Sequence, residues 1–289
     1  MMRYSALLGF MASVVLASQS IYASPVWKVS DGKETVYLGG TVHVLEAGDY
    51  PLPATFDKAY RQADMVFFET DIDALSTQGF VQQLLAQTSY PQGQSIVSRL
   101  SAETLAKLKT YLVAQGISFK ALEQFRPGML GMQLSQIELR KQGISVAGVD
   151  SYFNDAAIRD NKPRGRLETP QDQIHVIATM GQGNESEVIE NALTDVANLR
   201  EDFNQIRDAW RRGDRSGLTD LTVKPFREEL PADFKLMIVD RNNKWMPQIE
   251  RMFRTAEDEL VLVGAMHLVG REGLLQQLEK KGYSVVQMH

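Results

Sequence analysis

Two stretches decide how this chain is read: Thr35-Val36-Tyr37-Leu38-Gly39-Gly40-Thr41-Val42-His43 near one end, and Glu259-Leu260-Val261-Leu262-Val263-Gly264-Ala265-Met266-His267 near the other. Each begins as a run of β-branched, aromatic and aliphatic residues that predicts a buried strand, and each then passes into Gly-x-x-His. Glycine there lets the backbone turn sharply or lets a ligand come close, while the histidine is carried by a rigid element. Only four histidines occur in the chain. Two of them hold equivalent places in a repeated unit, which packing alone does not require.

Working outward, Val26 to Val29 and Thr35 to Leu38 read as a hairpin around Asp31-Gly32-Lys33. Ala54 to Gln62 reads as a short helix, and Met65 to Phe68 as a buried strand closed by Glu69. At the far end, Glu259 to Val263 is a strand, Gly264 to His267 a loop, Glu272 to Lys281 a helix and Tyr283 to Gln287 a strand. Between these ends the pattern turns helical. Ser101 caps a helix that Gly116 ends, Thr169-Pro170 opens another, and Glu185 to Arg212 carries apolar residues at helical spacing until Gly213. Ile144 to Val149 reads as one further strand, ending at Asp150. The expected fold class is α/β (α+β). A central sheet is built from two strand-GxxH-helix-strand units at the chain ends, with a large helical insertion at about 75–254 between them. The two histidine loops are expected to meet at the C-terminal edge of that sheet, where open α/β sheets bind ligands.

The N-terminus reads as a signal peptide over residues 1–23, with Arg3 ahead of an apolar run from Ala6 to Ala17 and small residues, Ala23 and Ser24, at the expected cut. Its apolar core is short for a membrane span, so cleavage is expected and an uncleaved anchor is the alternative. Residues 24–289 are then a single domain of a periplasmic or secreted protein. No later stretch is apolar enough to span a bilayer. There is no cysteine, so disulfides, thiol nucleophiles and Cys-based metal sites are excluded. A formal charge of -5 argues against a nucleic-acid partner held through its backbone.

His43, His267 and Glu69 form the constellation that could carry chemistry. An acid placed directly after Val66-Phe67-Phe68 is expensive to bury unless it is paired or coordinates a cation. Two imidazoles and a carboxylate suit a divalent metal such as Zn²⁺, Mn²⁺, Co²⁺ or Fe²⁺ and leave positions open for water and substrate. The plainer readings are satisfied polar histidines and a salt bridge at a strand end for Glu69. Asp150 is either a helix cap or a partner that orients one of the histidines. Asp240, Arg241 and Asn242 interrupt the apolar positions Leu236, Ile238, Trp245 and Ile249. Arg241 could clamp a substrate carboxylate or an oxyanion, with Asn242 beside it, or could be an ordinary paired arginine. His175 reads as a core or flanking residue, and Trp245 as core.

Gly40-Thr41-Val42-His43, Phe67-Phe68-Glu69, Gly148-Val149-Asp150, Leu167-Glu168-Thr169, Arg241-Asn242 and Gly264-Ala265-Met266-His267 together resemble the TraB/GumN family over essentially the whole mature chain. That family is similar to the Tiki metalloproteases and, more remotely, to erythromycin esterases and haem-binding ChaN-like proteins. The resemblance implies a metal-dependent, protease-like fold, with His43, His267 and Glu69 in the site and Gly40 and Gly264 as motif glycines. The leading expectation is a periplasmic metal-dependent hydrolase acting on a peptide or small-molecule substrate, in which Glu69 is either a metal ligand or the general base. A peptide- or haem-binding envelope protein without turnover is the alternative from another class, and a structural domain whose histidines merely pack is a third.

Overall fold

Turn chemistry sets the first hairpin. Asp31 Oδ1 accepts from the backbone N–H groups of Lys33 and Glu34, and Gly32 takes a φ of +97° that a side chain would resist. This joins β1 (Val26–Ser30) antiparallel to β2 (Thr35–Thr41). The computed structural model describes residues 24–289, so the expected signal segment lies outside the described residues. Six further strands follow: β3 (Val44–Leu45), β4 (Met65–Phe68), β5 (Val146–Ala147), β6 (Arg164–Arg166), β7 (Glu259–Gly264) and β8 (Ser284–Gln287).

The main sheet has the order β6-β4-β7-β2-β1-β8. β7 lies between β4 and β2, parallel to both, with Tyr37 opposite Leu260 and Thr41 opposite Gly264. The two Gly-x-x-His units thus sit on adjacent parallel strands drawn from opposite ends of the chain. From β2 the chain proceeds to β4 on one side of β7, and from β7 it proceeds to β8 beyond β1, so the two exits run in opposite directions across the sheet. Ligands of open α/β sheets lie at such a divergence, beyond the strands' C-terminal ends.

The helical insertion packs its own apolar cluster, including Leu108, Leu112, Leu130, Leu134 and Ile189, apart from the larger core around the sheet. Its long helix, Glu185–Arg211, returns to the sheet at Trp210, whose Nε1–H donates to Gly40 O at 2.7 Å. A buried indole thereby fixes the first glycine of the site.

Two expectations are corrected. Ile144 to Val149 is not a strand throughout: only Val146 and Ala147 are extended, paired with β3 in a two-stranded sheet apart from the main one. Gly148 instead starts a helix, Val149–Arg159, which places Asp150 in a first helical turn. Gly264 to His267 is not a loop, because Gly264 ends β7 and Ala265–Leu268 forms one helical turn. β6, with the sequence Arg-Gly-Arg, lies between the helical blocks and extends the main sheet beside β4. Among the described residues no helix is long and apolar enough to cross a membrane.

Candidate functional site

His43 stands just past β2, and Gly148 brings its partner to it. A Cβ at Gly148 would overlap the carbonyl of Val42 and the backbone of His43, so only glycine allows the Val149–Arg159 helix to begin this close. Asp150 in that first turn then lies with Oδ2 2.8 Å from His43 Nδ1. The carboxylate's charge raises the His43 imidazole to about 9, outweighing the opposing effect of desolvation. Of the alternatives read for Asp150, orienting a histidine is the contact it makes, with Gly148 taking the cap position. The His43 side chain is 66% exposed and faces open space.

His267 is the buried counterpart. Asn242 Nδ2 donates to two backbone carbonyls, His267 O at 3.0 Å and Glu272 O at 2.9 Å, which fixes the orientation of its amide. Asn242 Oδ1, 2.7 Å from His267 Nδ1, is therefore an acceptor, and Nδ1 carries the hydrogen. The lone pair of the ring is left on Nε2, where Arg241 Nη1 donates to it at 3.1 Å. Burial holds His267 far below an ordinary histidine, at about 3, so the ring is neutral at neutral pH.

Arg241 is the hub. Its Nη2 donates to Glu69 Oε2 at 2.5 Å and to Glu168 Oε1 at 2.8 Å, while Nε donates to Glu168 Oε2 at 3.1 Å. Its guanidinium carbon lies 4.6 Å from the centre of the Trp245 ring, which also packs on His267 at 4.5 Å and donates from Nε1 to Glu168 Oε2. Glu69 accepts a further bond from the Gly264 N–H at 2.7 Å. Burial pushes the Glu69 carboxyl up, but Arg241, then His267, His43 and that N–H, bring it down to about 2. Burial also raises Glu168, against the pull of Arg241.

A π turn over Lys235–Val239 directly precedes Arg241 and Asn242. Such a turn adds a residue to the helical repeat and is frequent at functional sites. Beyond it, Asn242 continues the buried face with Trp245 and Ile249, which accounts for the polar break in the apolar stripe. Asn242 is 0% exposed and spends its amide on His267 and Glu272, so it positions His267 instead of meeting a substrate as expected. Glu168 and Trp245 were not singled out as site residues from sequence. The signal for Glu168 was a carboxylate between Leu167 and the helix cap at Thr169, the same strand-end placement that marked Glu69.

The sequence model of the TraB/PrgY/gumN family matches residues 25–287. The chain belongs to the TraB/PrgY/gumN family. No curated protein matches the chain. In this TraB/PrgY/gumN member both Gly-x-x-His motifs, Glu69, Asp150, Glu168, Arg241 and Asn242 therefore come together at one sheet edge, although they are scattered along the sequence.

The donor types match those a Zn²⁺ or Mn²⁺ ion takes, two imidazoles and an ionised carboxylate. A Cβ built on Gly264 would lie 3.3 Å from Glu69 Oε1, 3.6 Å from His267 Cδ2 and 3.9 Å from His43 Nε2, so the glycine leaves a space that all three residues border. Among the described residues no three His, Asp or Glu side chains stand close enough to hold a metal ion. Arg241 takes both His267 Nε2 and Glu69 Oε2. The residues fit a divalent ion in type, and a permanent cation holds two of the donors. Arg241 holds Glu69 ionised, and the Asp150 carboxylate beside His43 favours positive charge on that ring.

Proposed function

We propose that the cleft beyond β2, β4 and β7 hydrolyses a peptide-type bond and that His43, Glu69 and His267 hold a divalent metal there. The observation that carries this reading is the space at Gly264, bordered by those three residues, with the Nδ1 of each imidazole already engaged by an oxygen so that Nε2 is the nitrogen offered. When bound, the metal would supply a Lewis acid and lower the pKa of a water. The remaining work falls to the chain itself. Asp150 and Asn242 hold the two rings in place, and the Gly264 N–H anchors one oxygen of Glu69. Glu69 stays ionised at neutral pH, as a ligand or as the acceptor of a proton from water requires. Arg241, paired by Glu168, carries a fixed positive charge beside the space, while its N–H groups are taken by Glu69, Glu168, His267 and the Met237 carbonyl. The N-terminal sequence supports work outside the cytoplasm.

Elemental analysis tests the reading on signal-free protein purified without an affinity tag and reconstituted with Zn²⁺, Mn²⁺ or Co²⁺. Near-stoichiometric metal is expected in wild type and its loss in both His43→Ala and His267→Ala; no metal in wild type overturns the reading. Glu69→Gln separates the two roles of the acid, because a general base lost at that position leaves the metal bound while hydrolysis stops. The hold of Arg241 on two of the donors favours a second reading, a site that binds without turnover. Peptide capture with no cleavage in metal-reconstituted protein, or a Soret shift on adding haemin, would favour it.

A further inference from the structure

A second cavity adjoins this site. Between the Pro127–Lys141 and Glu185–Arg211 helices, and closed by the segment from the Thr219–Val223 π turn to Leu230, runs an open groove of about 630 Å³. Its walls are mostly apolar, with Met132, Phe203 and Phe226 among them, and thioethers adapt their shape to what they meet. Met266, the residue before His267, lines the same groove, so the groove reaches the helical turn that carries the buried histidine. The volume lies in the range of sites that enclose a ligand of a few residues.

Three carboxylates, Asp195, Asp202 and Glu229, line the groove as well. None of them has a hydrogen-bond or ion-pair partner among the described residues, whereas the neighbouring arginines are engaged elsewhere: Arg200 and Arg207 with Glu46, and Arg227 with Glu272. Crowding by surrounding atoms, then the charges of Glu229 and Asp202, raises Asp195 to about 6, as expected of like charges gathered without a counterion. Apolar walls and unpaired negative charge together describe a complementary occupant.

We infer that the groove binds an extended peptide segment that combines apolar side chains with lysine or arginine, and presents it to the His43–His267 site. The apolar side chains pack on Met132, Phe203 and Phe226, and the cations pair with Asp195, Asp202 and Glu229. Calling this segment the substrate rests on the hydrolytic reading of the adjoining site; its binding does not.

The test is fluorescence anisotropy with labelled Ac-Leu-Lys-Phe-Leu-Lys-Leu-amide, beside the same peptide with Glu in place of Lys, on wild type, on His43→Ala, and on the triple variant Asp195→Asn, Asp202→Asn, Glu229→Gln. These three carboxylates make no structural bond, so the triple variant is expected to fold. The cationic peptide should bind wild type and His43→Ala alike, at least tenfold more tightly than the acidic one, and should lose tenfold or more in the triple variant. Raised salt should weaken it in the same direction. Equal affinity for both peptides, or an affinity that the triple variant leaves unchanged, overturns the inference. Binding by metal-reconstituted wild type that leaves the peptide uncleaved would refute the hydrolytic reading alone.

Discussion

Asn242 Oδ1 lies 2.7 Å from His267 Nδ1, and this one bond decides which nitrogen of the buried ring faces the cleft. It does so because the other end of the amide is committed to two backbone carbonyls and has no freedom to turn over.

Asn242→Ala removes all three of these bonds from a fully buried position and leaves the His267 carbonyl and its ring nitrogen without their partner, while the Glu272 carbonyl keeps its bond from Gln277 Nε2. The expected loss is about 2–4 kcal/mol of stability, from the cost of unsatisfied buried groups. Urea unfolding measures it. A loss under about 0.5 kcal/mol, the size of an ordinary surface change, would mean the amide does not hold the ring.

Gly264→Ala and Gly39→Ala separate the site from the core. A methyl at Gly264 meets Glu69 Oε1 at 3.3 Å and occupies the space proposed for the metal, while its backbone does not require glycine, with φ −49°. Metal uptake and hydrolysis should fall at least tenfold with little change in melting temperature. A methyl at Gly39 lies 2.7 Å from Leu262 Cδ2 and 3.0 Å from Phe56, so the fold should lose about 1–3 kcal/mol through overpacking. Metal bound per folded molecule should stay unchanged in that second variant. Unimpaired uptake in Gly264→Ala would place the ion elsewhere.

Arg241→Gln should be costly, because it leaves Glu69 and Glu168 buried without their cation; breaking a buried pair in this way costs about 3–5 kcal/mol. It also frees His267 Nε2 and Glu69 Oε2. Zn²⁺ should therefore raise the melting temperature of the variant by more than it raises that of wild type. A smaller or equal rise would show that the guanidinium does not compete with the ion.

Glu259, at the start of β7, gives the fold a dependence on pH. It is 3% exposed, Thr255 Oγ1 donates to its Oε1 at 3.1 Å, and its Oε2 has no partner among the described residues. Burial raises this carboxyl from an ordinary 4.5 to about 7, opposed by the Thr255 bond and assisted by Glu257 and Asp258. The folded pKa is the higher one, so its contribution to stability is complete below the unfolded value and is lost as pH rises through about 7. Glu259→Gln, which imitates the protonated side chain, should stabilise the protein at pH 8 by on the order of 1–2 kcal/mol and change little at pH 4. Thermal melts at the two pH values decide it, and an equal effect at both would remove the carboxyl as the cause.

How much of this was legible in the sequence depended on whether the signal was local. β2, β4 and β7 are dense apolar runs, and their glycines and the acid at Glu69 mark where they end, so the strands and three of the site residues could be read directly. β6 could not, because Arg-Gly-Arg has no alternation; it is a strand only through its pairing with β4. With β6 missed, there was no reason to place Glu168 beside Glu69, and hence no view of the carboxylate pair that Arg241 bridges. Asp150 was misplaced for a related reason. Gly148 acts through its closeness to Val42 and His43, residues far away in sequence, and the short apolar stretch before it fits a strand as well as a helix start. Strand order was equally out of reach, since β7 slots between β4 and β2 from the other end of the chain.

That insertion of β7 between β4 and β2 also sets a timetable. During synthesis the chain emerges N-terminus first, and domains fold as units once their parts are present. His43, Glu69, Asp150, Glu168 and Arg241 are all made before β7 exists, yet Gly264 and His267 arrive only with it. A nascent or C-terminally truncated chain holds every acid of the cluster and neither the strand that aligns them nor the second imidazole. Whatever this site does, it begins only once β7 has been made and has paired with β2 and β4.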